Sequence, residues 1–165
     1  MSDLELAKSN PQKQLFDQIE NVTAGMLGLE NSPQHYQPMA PQVDRVGSRI
    51  WFFSKKSSDL VKSLGGGQKA HFIVVGSGHD YHACIGGTLK ENRDPNKIKE
   101  YWSTIVAAWF DGKDDPDMTL LEFTPEDAAV WASLSNPMVF AWEIAKANVT
   151  GNEPDAGVTA NIRFA

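Results

Sequence analysis

Apolar and polar positions along this chain fall mostly into short strand-like runs, interrupted by a few stretches with helical spacing. The clearest strand is 70–75, Ala-His-Phe-Ile-Val-Val, rich in β-branched residues. A turn through Gly76-Ser77-Gly78-His79-Asp80 follows, and residues 81–89 return as its partner. Residues 22–29 read as an earlier strand weakened by Gly25 and Gly28, where another backbone or a ligand can approach closely. Residues 118–123 and 130–133 read as later strands, separated by one helical turn capped at Thr124-Pro125-Glu126-Asp127, and 158–164 as a terminal strand. Short strands punctuated every ~8–12 residues predict a barrel or a sandwich.

Helices announce themselves by a capping residue followed by proline. Asn10-Pro11 opens one whose Leu15, Phe16 and Ile19 form a single stripe ending near Asn21. Asp94-Pro95 opens another, with Ile98, Trp102, Ile105 and Trp109 on one sustained face. Two tryptophans on that face read as core or as a dimer seam. Asn136-Pro137 opens a third, to about Asn148, whose Val139, Trp142, Ile144 and Ala145 are expected to pack. Residues 1–9 read as a loose N-terminus.

The chain is organised around residues 37–61. They predict a strand, a polar turn from Asp44 to Ser48, a second strand ending in Trp51-Phe52-Phe53-Ser54, and a helix opened by Ser57 and Ser58. Pro38 and Pro41 lack an N–H, so the first strand should be an edge or an irregular one, with backbone left free near Gln37 and Met39. An apolar platform beside hydroxyls and a helix start suits a ligand with a flat ring at one end and a phosphate at the other. Charge agrees: residues 44–69 carry six cations against two acids inside a chain of net charge −6. The competing reading is an ordinary hairpin whose polar face is solvated by lysines.

Size and composition narrow the class. A chain of 165 residues, 41% apolar and 22% charged, is most simply one soluble globular domain. No apolar run approaches the ~18 residues that span a bilayer, and the acidic start resembles no secretory signal, so a cytoplasmic, non-membrane protein is expected. Cys84 is the single cysteine, which excludes an intrachain disulfide. The acidic balance argues against a nucleic-acid partner.

Catalytic constellations are scarce. His79 and His82 should face opposite sides of a sheet, so no shared metal is expected. The acidic loop 111–117 lacks the spacing and closing glutamate of a helix–loop–helix calcium site. Cys84 lies two residues from His82 on the same face, which allows a Cys–His nucleophile, but nothing nearby lowers its pKa and a buried, inert thiol is the favoured reading. Gly65-Gly66-Gly67 lacks the lysine and following helix of a phosphate loop. A pocket without catalytic side chains favours a bound cofactor that brings its own chemistry.

One ordered set of segments carries a resemblance: Gln37-Pro38-Met39, Trp51-Phe52-Phe53-Ser54, Ser58-Asp59-Leu60-Val61, Ala83-Cys84-Ile85-Gly86-Gly87-Thr88-Leu89, Tyr101-Trp102, Ala107-Ala108-Trp109-Phe110, Gly112-Lys113-Asp114-Asp115-Pro116 and Val130-Trp131. In order and spacing it resembles the general stress protein family of the pyridoxamine 5′-phosphate oxidase-like flavoproteins. The resemblance implies a mainly β (α+β) fold, a six-stranded antiparallel split barrel over 10–133, with 134–165 a helix and tail packed on it. It further implies a homodimer, FMN rather than FAD in a cleft shared between subunits, and a nicotinamide nucleotide or another small redox molecule as substrate. A flavin-dependent oxidoreductase is the leading function, and a non-catalytic flavin carrier or stress-response binding module the alternative.

Carried over by position, Gln37, Met39 and Ala40 would lie along the flavin ring, and Phe53 and Ser54 would touch the ring and its ribityl or phosphate end. Ser58, Asp59 and Leu60 would sit near the phosphate, His82 over the flavin, and Trp102 and Trp109 in the wall from the partner subunit. True pyridoxamine 5′-phosphate oxidases have an arginine where this chain has Gln37 and a lysine where it has Leu60, and their C-terminal arginine motif is not recognisable here. These departures argue against oxidation of a vitamin B6 phosphate and leave the phosphate charge to Lys55, Lys56 or a partner-chain cation.

Overall fold

Two prolines decide how the sheet closes. In the computed structural model, which describes residues 2–165, the strands are β1 (Gly25–Leu29), β2 (Gln37–Met39), β3 (Gln42–Asp44), β4 (Arg49–Lys55), β5 (Gln68–Val75), β6 (Tyr81–Glu91), β7 (Met118–Ser133) and β8 (Gly157–Arg163). The helices are α1 (Leu4–Ser9), α2 (Pro11–Glu20), α3 (Asp59–Lys62), α4 (Pro95–Tyr101), α5 (Thr104–Ala107) and α6 (Pro137–Thr150). All described strand pairs are antiparallel, in the order β2-β1-β5-β6-β7-β4-β3, with β8 added on β7. The two ends of that order, β2 and β3, are neighbours in the chain, separated only by Ala40 and Pro41. Pro41 has no N–H to continue a ladder, so the chain leaves β1 and re-pairs with β4 across this gap. Taking β2 and β3 as one interrupted strand leaves six barrel strands, and the fold is the mainly β split barrel with flanking helices.

Alternation along β4 separates two apolar layers. Ile50 and Phe52 point into the main core with Phe72, Tyr81, Ile85, Leu121 and Phe123, closed at one end by Leu15, Phe16 and Ile19 of α2. Trp51 points to a second cluster with Ile98, Met118 and Leu120, against which Phe53, Tyr101, Trp102 and Phe110 pack. The caps act as the sequence predicts: the Asn10 side chain accepts from Lys13 N and that of Asn136 from Met138 N and Val139 N.

Several expectations are corrected. Residues 124–127 form no helical turn, because β7 runs unbroken and leaves Glu126 as a bulge between Pro125, opposite Gly87, and Asp127, opposite Gly86. The sustained helix through Ile98, Trp102, Ile105 and Trp109 breaks at Trp102, whose extended backbone ends α4, and Ser103 caps α5 anew. Ile98 alone of that stripe is buried, while Trp109 is 71% exposed. At the N-terminus, where looseness was expected, Leu4–Ser9 form a helix capped by Asp3, with Ala7 in the core (Met1 lies outside the described residues). In the C-terminal segment β8 is firmly paired with β7, but α6 contains no buried residue, so Val139, Trp142, Ile144 and Ala145 do not join the barrel core.

Candidate functional site

The segment following β4 reverses direction by satisfying its own polar groups. Lys56 N donates to Asp117 O (2.7 Å), Ser57 N to Asp117 Oδ1 (2.9 Å) and Ser57 Oγ to Asp117 Oδ2 (2.8 Å). The acidic loop thus serves backbone N–H groups: Asp115 accepts from Asp111 N (2.9 Å) and from Asp117 N (2.8 Å). Ser58 then caps α3, its Oγ accepting from Val61 N at 3.3 Å. Asp59 N and Leu60 N, one and two residues into the helix, have no partner within it. Ser54, buried, sets its Oγ 3.4 Å from Ser58 Oγ.

Beside this turn lies a cleft of about 270 Å³ lined by Gly28, Pro33, Gln34, Gln37, Asp59 and Leu60, among others. Gln34 fixes one wall, its Nε2 donating to Asp59 O (3.2 Å) and Ser63 Oγ (2.8 Å). Gly28, which also lines the cleft, makes room for a side chain: a Cβ there would stand 2.1 Å from Tyr36 Cδ1. Both positions at which the sequence departs from the vitamin B6 oxidases, Gln37 and Leu60, face this one cleft, and neither is charged.

The local positive charge sorts into two groups. Arg45 is held by Glu20 and Asp17, each contact 2.7 Å, and these bonds push its already high pKa further up. Arg49 pairs with Glu122 and Lys69 with Glu126. Lys55, Lys56 and Lys62 form no ion pair with any described residue; Lys55 contributes only through its field at Asp115. Half of the cations counted in the sequence are therefore neutralised, and the unneutralised half flanks the Ser54–Ser58 turn.

The structure divides the thirteen candidate residues. Gln37, Asp59 and Leu60 meet at the cleft, Ser54 and Ser58 touch each other, and Lys55 and Lys56 are exposed on the same turn. Met39 ends β2 and Ala40 follows it; continuing the β3–β4 register from Gln42 opposite Trp51 sets Ala40 beside Phe53. Phe53 belongs to the second layer, its ring 6.0 Å from that of Trp102 in the same chain and 6.4 Å from Phe110. His82 sits on β6 between Val75 and Trp131, outside the cleft lining, and Trp109 stands free beyond α5. The Cys84 thiol is pushed up by burial and by the nearby Asp127 carboxylate, which disfavours a thiolate nucleophile. Gln34 and Lys62 were not singled out from sequence. A signal for Lys62 existed, since it is one of the six cations, whereas Gln34 lies in a turn whose path only tertiary packing sets.

Residues 10–155 match the family described as pyridoxamine 5′-phosphate oxidase like. General stress protein 26 of Bacillus subtilis (strain 168) is 40% identical over 121 residues, spanning 70% of this chain and 84% of that protein. A crystal structure named for general stress protein 26 from Jannaschia sp. CCS1 superposes with a TM-score of 0.82 at 37% identity, covering 94% of this chain and 99% of that one. The general stress FMN/FAD binding protein of Xanthomonas citri superposes with a TM-score of 0.65 at 34% identity, covering 72% and 86%. With its barrel closed through a proline gap and its sequence matched from α2 past α6, the chain belongs to the pyridoxamine 5′-phosphate oxidase-like family, alongside the general stress proteins.

Proposed function

We propose that this protein binds a flavin, FMN in preference to FAD, in the cleft beside α3, and that a second copy completes the site. One observation carries the reading: three lysines without ion pairs, Lys55 and Lys56 on the turn and Lys62 at the end of α3, accompany a turn that offers Ser54 Oγ, Ser58 Oγ and first-turn N–H groups. That donor set fits a phosphate monoester and supplies the charge that Gln37 and Leu60 do not. A cleft of about 270 Å³ lies just below the ~300–1,000 Å³ typical of small-molecule pockets, which supports a site shared between two copies. The Xanthomonas citri relative, called an FMN/FAD binding protein, supports the same cofactor class.

When bound, the flavin supplies hydride or electron transfer, and the protein's part is to hold and orient it. Ser54 and Ser58 donate to the phosphate, the lysines neutralise it, and the proline-interrupted backbone at Gln37–Met39 meets the ring. The activity proposed is a flavin-dependent oxidoreductase acting on a nicotinamide nucleotide or another small redox molecule. A non-catalytic carrier using the same pocket is the second reading, since every residue role above is one of holding the flavin.

Mass spectrometry of the molecule released on acid denaturation tests the cofactor, with FMN expected. Ser54→Glu should abolish its retention by placing a carboxylate against the phosphate. A colourless protein that takes up no added FMN, or an Ser54→Glu variant with full affinity, defeats the proposal. Anaerobic NADH or NADPH should bleach the oxidoreductase, and persistent yellow colour would favour the carrier.

A further inference from the structure

α6 is built inside out for a single chain. Glu143, one of its two charged residues, has a side chain only 16% exposed, whereas Trp142 is 66%, Met138 83% and Val149 87% exposed. Phe140, Val139 and Ile144 are also open, and no residue of the helix is buried. The same chain has an uncovered apolar sheet face. Met26, Ile73, Cys84 and Ala129 lie side by side across β1, β5, β6 and β7, and Val75, His82 and Trp131 form the next row. Met26, Ile73, Val75 and Trp131 on it are all exposed.

One chain thus carries a helix lacking a groove and a sheet face lacking a helix, and its own folding does not bring them together. We infer that α6 docks on this sheet face in a second copy, and that the exchange is reciprocal. The inference rests on the homodimer in the functional reading above and names the segment that makes it.

Three observations select a second copy as the occupant. The accessible surface is 9463 Å² for 18.2 kDa, where a compact monomer of that mass exposes about 8,100 Å². The excess is on the order of 1,000 Å² per copy, enough for the ~800 Å² that each partner contributes to a standard interface. The arm and the face are continuous in the chain, because Trp131 and Ser133 at the end of β7 lead into α6, which suits a reciprocal exchange about a two-fold axis beside this end. Charge disfavours a lipid surface: Glu143 and Lys146 pair at 3.5 Å, leaving α6 neutral in a chain of −6, without the lysine-rich face of membrane-surface helices.

Two variants of this 165-residue chain test this: Phe140→Glu/Trp142→Glu on the arm, and Trp131→Glu on the face. Neither position is buried in the single chain, so the barrel should fold in both, which circular dichroism and thermal unfolding would verify. Sedimentation equilibrium should give a wild-type dimer and at least a 100-fold rise in dissociation constant for each variant, in keeping with truncated aromatic anchors. A wild-type monomer, or a dimer untouched by the arm variant, overturns the inference. A dimer sensitive to the arm but indifferent to Trp131→Glu overturns the sheet face as the dock. FMN titration of the wild type keeps the two readings apart: no flavin with an arm-dependent dimer sinks the function alone, and bound flavin with an arm-independent dimer sinks the inference alone.

Discussion

α2 and α6 begin alike and end in opposite places. Each is opened by Asn-Pro, and each uses the asparagine side chain to accept from backbone N–H groups of the first turn. α2 then confines its large apolar residues to one stripe, and Leu15, Phe16 and Ile19 all disappear into the barrel end. α6 spreads Met138, Val139, Phe140 and Ile144 around its circumference and buries none of them. The cap decides where a helix starts, while the distribution of apolar area decides what it can be covered by. A stripe is covered by one neighbour. A helix apolar all round needs more surface than its own chain offers.

Leu15→Ala should cost about 2–5 kcal/mol in urea-induced unfolding, from lost burial and the cavity left behind. Ile144→Ala, measured at concentrations where the chain is monomeric, should stay within about 0.5 kcal/mol, since it touches no core. Equal losses would make α6 part of the same cooperative unit and break the contrast.

The next largest effect concerns the two classes of cation. Lys55→Gln with Lys56→Gln should weaken FMN binding by about 1.5–3 kcal/mol, roughly ten- to a hundred-fold, as charge-assisted hydrogen bonds are lost. Arg45→Gln, whose charge is already engaged by Glu20 and Asp17, should leave FMN affinity within a factor of two in a fluorescence titration. Smaller still are the caps. Asn10→Ala should cost about 1 kcal/mol of barrel stability. Asn136→Ala should reduce helical circular dichroism without moving the barrel's thermal midpoint.

The smallest effect is a pH dependence. Burial raises the Glu122 pKa, but the Asn92 hydrogen bond and the Lys90 and Arg49 cations outweigh it and hold this carboxyl below its ordinary value. A folded pKa below the unfolded one means stability that is present above about pH 4.3 and lost as pH falls through the folded pKa. Glu122→Gln should therefore lower the neutral plateau of a stability–pH curve, where this stabilisation is present, and flatten its acid limb, with stability below the folded pKa nearly unchanged.

Much of this arrangement was legible beforehand. Asn10-Pro11, Asp94-Pro95 and Asn136-Pro137 marked three helix starts, and β-branched and aromatic runs bounded by turns marked β4, β5 and β6, because capping and strand preference are properties of neighbouring residues. Residues 124–127 misled for the same reason: their local preference is a capped turn, but pairing with β6 on one side and β8 on the other drew them into a single strand. Of the site, the sequence picked out the Ser54–Leu60 turn and the surplus of cations. It had no means to distinguish Arg45, Arg49 and Lys69 from the three free lysines, since their acidic partners come from α2 and from β7.

The sequence by itself determined where three helices begin, where most strands run, that Pro38 and Pro41 would make a strand irregular, and which family the chain resembles. Tertiary structure alone decided that this interruption closes the barrel, that Gln37 and Leu60 share one cleft, that Phe53 turns to Trp102, and that α6 stays uncovered. The division has one cause. Capping and periodicity act over a few neighbouring residues, whereas ion pairing, cleft formation and burial depend on groups that only the folded chain brings together.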